Sequence, residues 1–220
     1  MRRFHDRVDA GQQLAEKLVS SLEMERQKDQ GIIVLGIPRG GVILADIIAK
    51  KLSADFDIVV PRKMGAPANE ELAIGAVMAD GTSYINDYIV SALHVPPNYL
   101  EEEKKRQADE IIRRLSVYRK TSNDYRARIE SKIAILVDDG IATGATVIAS
   151  ARWLRKQKPS KLVIAVPVGP AKTIELLRQE ADHVEVLEAP GDFGAVGQFY
   201  DLFETVTDEQ VIEVMRTRNL

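Results

Sequence analysis

The most constraining stretch of this chain runs from Ile133 to Thr146, Ile-Ala-Ile-Leu-Val-Asp-Asp-Gly-Ile-Ala-Thr-Gly-Ala-Thr. Ile133–Val137 is short and rich in branched apolar residues, the pattern of a strand buried on both faces. Asp138 and Asp139 stand where such a strand leaves its sheet, and in open α/β sheets ligands gather outside the carboxyl ends of the strands. Ala142, Thr143, Gly144, Ala145 and Thr146 then form a turn of little bulk before a helical pattern opens at Val147. Backbone N–H groups at such a helix start converge on an anion, and the helix dipole favours negative charge there. The hydroxyls of Thr143 and Thr146 add two donors. Two acids beside an anion cradle call for a ligand with two different ends. A sugar phosphate has them: its vicinal diol donates to carboxylates, and its phosphate accepts from the loop. An ordinary Asp-Gly turn needs neither the second acid nor Thr-Gly-Ala-Thr.

Two further turns carry chemistry at the same kind of position. Ile32–Leu35 is a short buried-strand pattern, followed by Gly36-Ile37-Pro38-Arg39-Gly40-Gly41 and a helical run from Val42 to Leu52. This turn has neither the Gly-x-Gly-x-x-Gly spacing of a dinucleotide site nor that of a P-loop. It offers paired glycines for close backbone approach, a rigid Pro and one cation. Taken alone it is a tight strand-to-helix turn with an arginine. Phe56–Val60 is a third strand, ending in Pro61-Arg62-Lys63. Two cations at the carboxyl end of a strand suit a polyanionic ligand.

The Ile133–Thr146 string resembles the phosphoribosyl-diphosphate (PRPP) binding motif of type I phosphoribosyltransferases. That motif has apolar residues, two acids, two variable residues, a small or hydroxyl residue, then Thr-Gly-x-Thr. The Pro38–Gly41 turn resembles the same family's pyrophosphate loop, in which a strained or cis peptide often lies. The Arg62-Lys63 strand end resembles the one whose basic side chains approach the pyrophosphate. The resemblance implies a Mg²⁺-dependent transfer of the 5-phosphoribosyl group from PRPP to a nitrogen nucleophile, a purine or pyrimidine base, in nucleotide salvage. It implies that Asp138 and Asp139 hold the ribose hydroxyls and touch the metal only indirectly. Ile141, Ala142, Thr143, Gly144, Ala145 and Thr146 would hold the 5-phosphate. Pro38, Arg39, Gly40, Gly41, Arg62 and Lys63 would receive the pyrophosphate. Relatives of this type are often homodimers. Three rival readings share the loop: a PRPP-binding regulator without turnover, a diphosphokinase making PRPP, and an enzyme whose nucleophile is phosphate or pyrophosphate. The second needs an ATP site and a longer chain. The first is disfavoured by a net charge of −3 and the lack of a helix-turn-helix pattern.

The rest of the chain predicts an α/β fold, a mostly parallel sheet flanked by helices, as one domain over 1–220. Asp6–Leu22 has helical spacing, though Gly11 weakens it and Phe4 and Arg7 show no core partner. Met64–Glu71 is rich in Gly, Ala and Pro and predicts a mobile loop, with Glu70 or Glu71 as catalytic candidates. Leu72–Met78 and Ser83–Ile85 flank Asp80-Gly81, a hairpin signal. A helical insertion spans about 86–130, a lid or dimerisation arm, with helices over Asp87–Leu93 and Asn98–Arg119. Its Glu101/Lys105, Glu102/Arg106 and Glu110/Arg114 spacings support a solvated helix, and Ile111, Ile112, Leu115 and Tyr118 form an apolar stripe. Val147–Gln157, Lys161–Val166, Ala171–Glu180 and Val184–Leu187 continue the helix–strand alternation, and a last helix covers Asp208–Thr217. A hood of about 189–206 carries Phe193, Phe199 and Tyr200, whose rings either stack on a planar acceptor or fill the core.

The absence of cysteine excludes disulfides, thiolate catalysis and zinc–cysteine sites. His5, His94 and His183 share no metal-ligand spacing. No run is long and apolar enough for a membrane span, and Met-Arg-Arg-Phe-His-Asp-Arg has no signal-peptide core behind it, so a cytoplasmic protein is expected.

Overall fold

The computed structural model describes residues 3–22, 30–67, 69–119 and 128–218, with the side chain of residue 71 outside that set. Five parallel strands form the main sheet: β1 (Ile32–Gly36), β2 (Asp55–Ile58), β6 (Ile133–Val137), β7 (Lys161–Val168) and β8 (His183–Glu188). Their order is β2-β1-β6-β7-β8. The chain therefore winds one way from β1 to β2 and the other way from β6 to β8. The reversal falls between β1 and β6, where such sheets open a crevice at their carboxyl edge.

Strand alternation feeds two cores. Val34, Ile133, Ile135, Val137 and Val163 face a cluster that includes α1 (Arg7–Ser21), α2 (Gly40–Leu52) and the last helix, α7 (Asp208–Arg218). Ile33, Leu35, Ala134, Leu136 and Ile164 face the other cluster, with α5 (Ala145–Lys156) and α6 (Ala171–Leu177). All five residues of β1 and of β6 are buried. Each large aliphatic side chain so buried is worth about 1.5–3 kcal/mol, which makes these two strands the rigid floor of whatever their loops hold. Trp153 and Leu154 are buried on α5, as their spacing predicts.

The segment after β2 differs from expectation. The third strand ends at Ile58, and Arg62 and Lys63 open a new strand, β3 (Arg62–Ala66). β3 pairs antiparallel with β4 (Asn69–Val77), which pairs with β5 (Ser83–Ile85). Met64–Glu71 is thus mostly hairpin rather than mobile loop; Ala68 lies outside the described residues. Its glycine is a pairing device. The register shifts on both sides of Gly65, and a Cβ there would lie 2.6 Å from Glu70 backbone atoms. Only glycine admits so close a bulge. The expected β4–β5 hairpin forms, with Gly81 at φ +82°.

The insertion holds α3 (Asp87–Ala92) and α4 (Pro97–Tyr118); residues 120–127 lie outside the described residues. Ile111 and Tyr118 enter the core, whereas Ile112 is 57% exposed, so the apolar stripe is narrower than its sequence suggests. Of the expected pairs Glu110–Arg114 forms at 3.0 Å, but Glu101 pairs with Lys104 and Arg106 with Glu103. Glu103 is buried, accepting from Gln107 Nε2 at 2.8 Å. At the insertion's far end Asp57 of β2, 1% exposed, accepts from Arg119 and, at 2.7 Å, from Arg128. Arg128 also donates to the Phe56 carbonyl at 2.9 Å. Among the described residues no helix is long and apolar enough to cross a membrane.

Candidate functional site

β1 and β6 pair in register, Gly36 opposite Val137, so the loops that follow them leave the sheet side by side. Ile37 N–H donates to the Val137 carbonyl at 2.9 Å. Gly41 lies against the end of β6, where a Cβ would sit 2.7 Å from that carbonyl and 2.8 Å from Asp138 Cα. A side chain at 41 would force the two loops apart. Between them opens a cleft of about 420 Å³.

Its walls bring together most of the expected residues: Arg39, Gly40, Lys63, Asp138, Asp139, Ile141, Ala142, Thr143, Gly144 and Thr146. Pro38, Gly41 and Ala145 stand behind the lining, and the Pro38–Arg39 peptide is cis. Arg62 is not in the cleft. Neighbouring residues of a strand point to opposite faces. Lys63 faces the cleft, while Arg62 donates to Gln107 Oε1 at 2.9 Å in a separate hollow beside α4. The expected Arg62-Lys63 pair is therefore split.

The Ile141–Thr146 loop is held from outside. Ile141 N–H donates to the Val168 carbonyl, and Thr173 Oγ1 donates to the Ala142 carbonyl, both at 2.9 Å. Gly144 is left-handed, φ +79°, and caps α5, whose first N–H groups open on the cleft.

The two acids differ. Burial, with the charge of Asp139 second, pushes the Asp138 carboxyl well above the usual carboxylate range, and Lys63 opposes the rise. Asp138 Oδ1 accepts from Asp139 N–H at 2.9 Å. Asp139 Oδ2 accepts from Arg7 Nε at 2.8 Å. Tyr200 hydroxyl donates to the Asp139 carbonyl at 2.6 Å, and burial, then the charge of Asp139, raises its pKa, so it remains a donor. Stability linked to a raised carboxyl is present below the ordinary carboxylate range and lost as pH rises past the raised value. At neutral pH burial of the Asp138 carboxyl therefore opposes folding. Asp138→Asn should raise the stability of the free protein, seen as a higher Tm. Calorimetric melting near pH 7 checks this, and a lowered Tm contradicts it.

Two site residues escaped the sequence reading. Arg7 of α1 and Phe203 both line the cleft. The sequence signal was that Arg7, like Phe4, has no evident core partner, which leaves a substrate role for the N-terminal helix open. Among the hood rings Phe199 and Tyr200 are 1% and 3% exposed and belong to the core, packed on the buried Phe4. They present no face to an acceptor. Phe193 stacks on Phe199 with centroids 5.3 Å apart, outside the cleft lining. Phe203, not one of these three, is the ring in the cleft lining, and the Arg7 guanidinium lies over it. Glu70 pairs with Arg106 at 3.5 Å and is not in the cleft lining; the Glu71 side chain lies outside the described residues.

The phosphoribosyl transferase domain family model matches residues 4–204, from just before α1 to the hood. The chain belongs to this family. A Mycobacterium tuberculosis (strain H37Rv) protein named "Putative phosphoribosyl transferase Rv0571c" is 39% identical over 212 residues, 96% of this chain and 46% of that protein. The chain thus spans about half the length of the curated relatives it matches. The crystal structure of TT1426 from Thermus thermophilus superposes with a TM-score of 0.77 at 38% identity, covering 98% of both chains. An adenine phosphoribosyltransferase of Bacteroides thetaiotaomicron is 28% identical over 148 residues, 66% of this chain and 62% of that one. As in the phosphoribosyl transferase family, the cleft of this chain is built on a mostly parallel sheet flanked by helices.

Proposed function

We propose that this chain transfers the 5-phosphoribosyl group of PRPP to a nitrogen nucleophile, a purine or pyrimidine base, with release of pyrophosphate. The observation that carries the reading is the convergence, in one 420 Å³ cleft, of an acid pair, an anion loop at a helix start and the cations Arg39 and Lys63. Asp138 and Asp139 accept from the ribose hydroxyls. The Ile141–Thr146 loop takes the 5-phosphate. Gly40, Arg39 and Lys63 receive the pyrophosphate and stabilise the charge that builds on it as the C1 bond breaks, so catalysis is mainly positioning and electrostatics. The donor set suits Mg²⁺ carried by the substrate: Asp138 and Asp139 offer hard carboxylate oxygens at the cleft wall. Two carboxylates are enough for a cation that keeps waters and phosphate ligands. When bound, Mg²⁺ supplies Lewis-acid neutralisation of the leaving group. The acceptor enters under the hood, past Val196 and Phe203. The reading includes a homodimer through the exposed Ile112 and Val117 of α4, which sedimentation equilibrium checks.

Mass spectrometry of products after incubating the protein with PRPP, Mg²⁺ and a panel of bases tests the reaction. A nucleoside monophosphate is expected. PRPP binding without turnover for any base would favour the regulatory alternative. Steady-state kinetics of two alanine variants test the split of the basic pair. Lys63→Ala should raise KM for PRPP about 10- to 100-fold, the loss of one charge-assisted bond. Arg62→Ala should leave it within about 3-fold, because a partner outside the cleft is what it loses. Equal effects would overturn the assignment of Lys63 alone.

A further inference from the structure

We propose that Arg7 is a positioning residue that couples capture of the donor to seating of the hood. Its guanidinium divides between the two. Nε donates to Asp139 Oδ2 at 2.8 Å, and Nη1 donates to the Glu204 carbonyl at 2.6 Å. The same group lies 3.9 Å from the centre of the Phe203 ring. The side chains of Arg7 and Asp139 are only 12% and 16% exposed, so water screens the pair weakly.

The anchor is rigid. Arg7 is the first residue of α1, directly after Asp6, whose side chain caps the helix by accepting from Asp9 N–H. Leu14 and Leu18 hold that helix in the core. Among the described residues the hood is fastened to the N-terminal segment by backbone bonds as far as Leu202: Phe4 N–H to Phe199 O, Asp201 N–H to Phe4 O, and Leu202 N–H to His5 O. From Phe203 to the start of α7 the chain has no regular structure. Arg7 grips that stretch where the ladder stops. The pyrophosphate turn meets the same pair, because a Cβ on Gly40 would lie 1.8 Å from Asp139 Oδ2 and 2.8 Å from Arg7 Nε.

A carboxylate has about four acceptor positions on two oxygens. A ribose hydroxyl can therefore donate to Asp139 Oδ1 while Arg7 keeps Oδ2. Arg7 need not leave when the donor arrives. It fixes the rotamer of Asp139 and transmits that order to Phe203 and Glu204, which wall the acceptor side. This inference rests on the assignment of Asp139 to the donor diol.

The test uses Arg7→Met, which keeps an apolar stem but removes the fork, and Arg7→Lys, which keeps the charge. Hydrogen–deuterium exchange of residues 203–206 is measured with and without PRPP and Mg²⁺, beside steady-state kinetics. In the wild type, donor should slow that exchange. In Arg7→Met the free protein should exchange about 10-fold faster there, donor should restore little protection, and KM for PRPP should rise more than kcat falls. Arg7→Lys should recover part of the KM but not the protection, because one ammonium cannot bridge Asp139 and Glu204 in a fork. Unchanged exchange at 203–206 in Arg7→Met overturns the coupling, as does full recovery by Arg7→Lys. A wild type that shows neither PRPP-dependent protection nor turnover overturns the donor assignment instead. The free-protein exchange still judges the Arg7 grip in that case.

Discussion

Titration calorimetry of PRPP with Mg²⁺ into the Asp138→Asn, Asp139→Asn double variant is expected to show affinity reduced by about 100-fold or more. Each carboxylate offers a charge-assisted acceptor, and replacing it with an amide removes about 1.5–3 kcal/mol where the donor hydroxyl has no alternative. Two such losses come to about 3–6 kcal/mol, roughly 10²–10⁴ in affinity. The fold should survive. Replacing the buried Asp138 carboxyl relieves a cost at neutral pH, which offsets the weakening of the Arg7–Asp139 pair. An unaltered affinity would remove the acid pair from the donor site, and with it the proposed function.

The largest effect on stability is expected at Asp57, far from the cleft. Asp57 is buried in β2 and receives the guanidinium groups of Arg119 and Arg128. Asp57→Ala takes from both guanidinium groups their shared carboxylate and leaves them only uncharged acceptors such as the Phe56 and Ile58 carbonyls, and breaking one side of a buried pair costs about 3–5 kcal/mol. That is a large part of the roughly 5–15 kcal/mol by which a domain is stable. Urea unfolding should show a midpoint lowered in that proportion with an unchanged slope. A loss under about 1 kcal/mol would mean the cluster is solvated and holds little. Because Arg119 and Arg128 flank the insertion's end, the variant also asks whether that end depends on the sheet for its position.

What was legible in the chain follows from how far apart the cooperating residues lie. The Ile133–Thr146 string was readable because strand, acids and anion loop are contiguous, and local geometry alone aims them at one edge. The same holds for the Pro38–Gly41 turn and for the Asp80-Gly81 hairpin. Arg62 and Lys63 were readable as a pair but not as individuals. Their facing depends on the parity of a strand whose start, at Arg62 rather than before Pro61, was set by pairing with β4. The Met64–Glu71 stretch looked like a loop because Gly65 serves a bulge, and a bulge leaves the same composition as a turn. Phe199 and Tyr200 could have been cover or core, and the bridge between Phe4 and Tyr200 decided for core.

The two loops and the acid pair are legible in the chain because each is contiguous, and the α/β class follows from the strand–helix alternation along it. Packing alone brings Arg7 to Asp139, 132 positions away, and puts Phe203 in the cleft lining. It also separated Arg62 from Lys63. The physical reason is the same throughout: the propensities of neighbouring residues dictate which elements form and where their ends point. Which distant side chain meets a buried carboxylate depends on packing one helix against one sheet, and no local pattern records that.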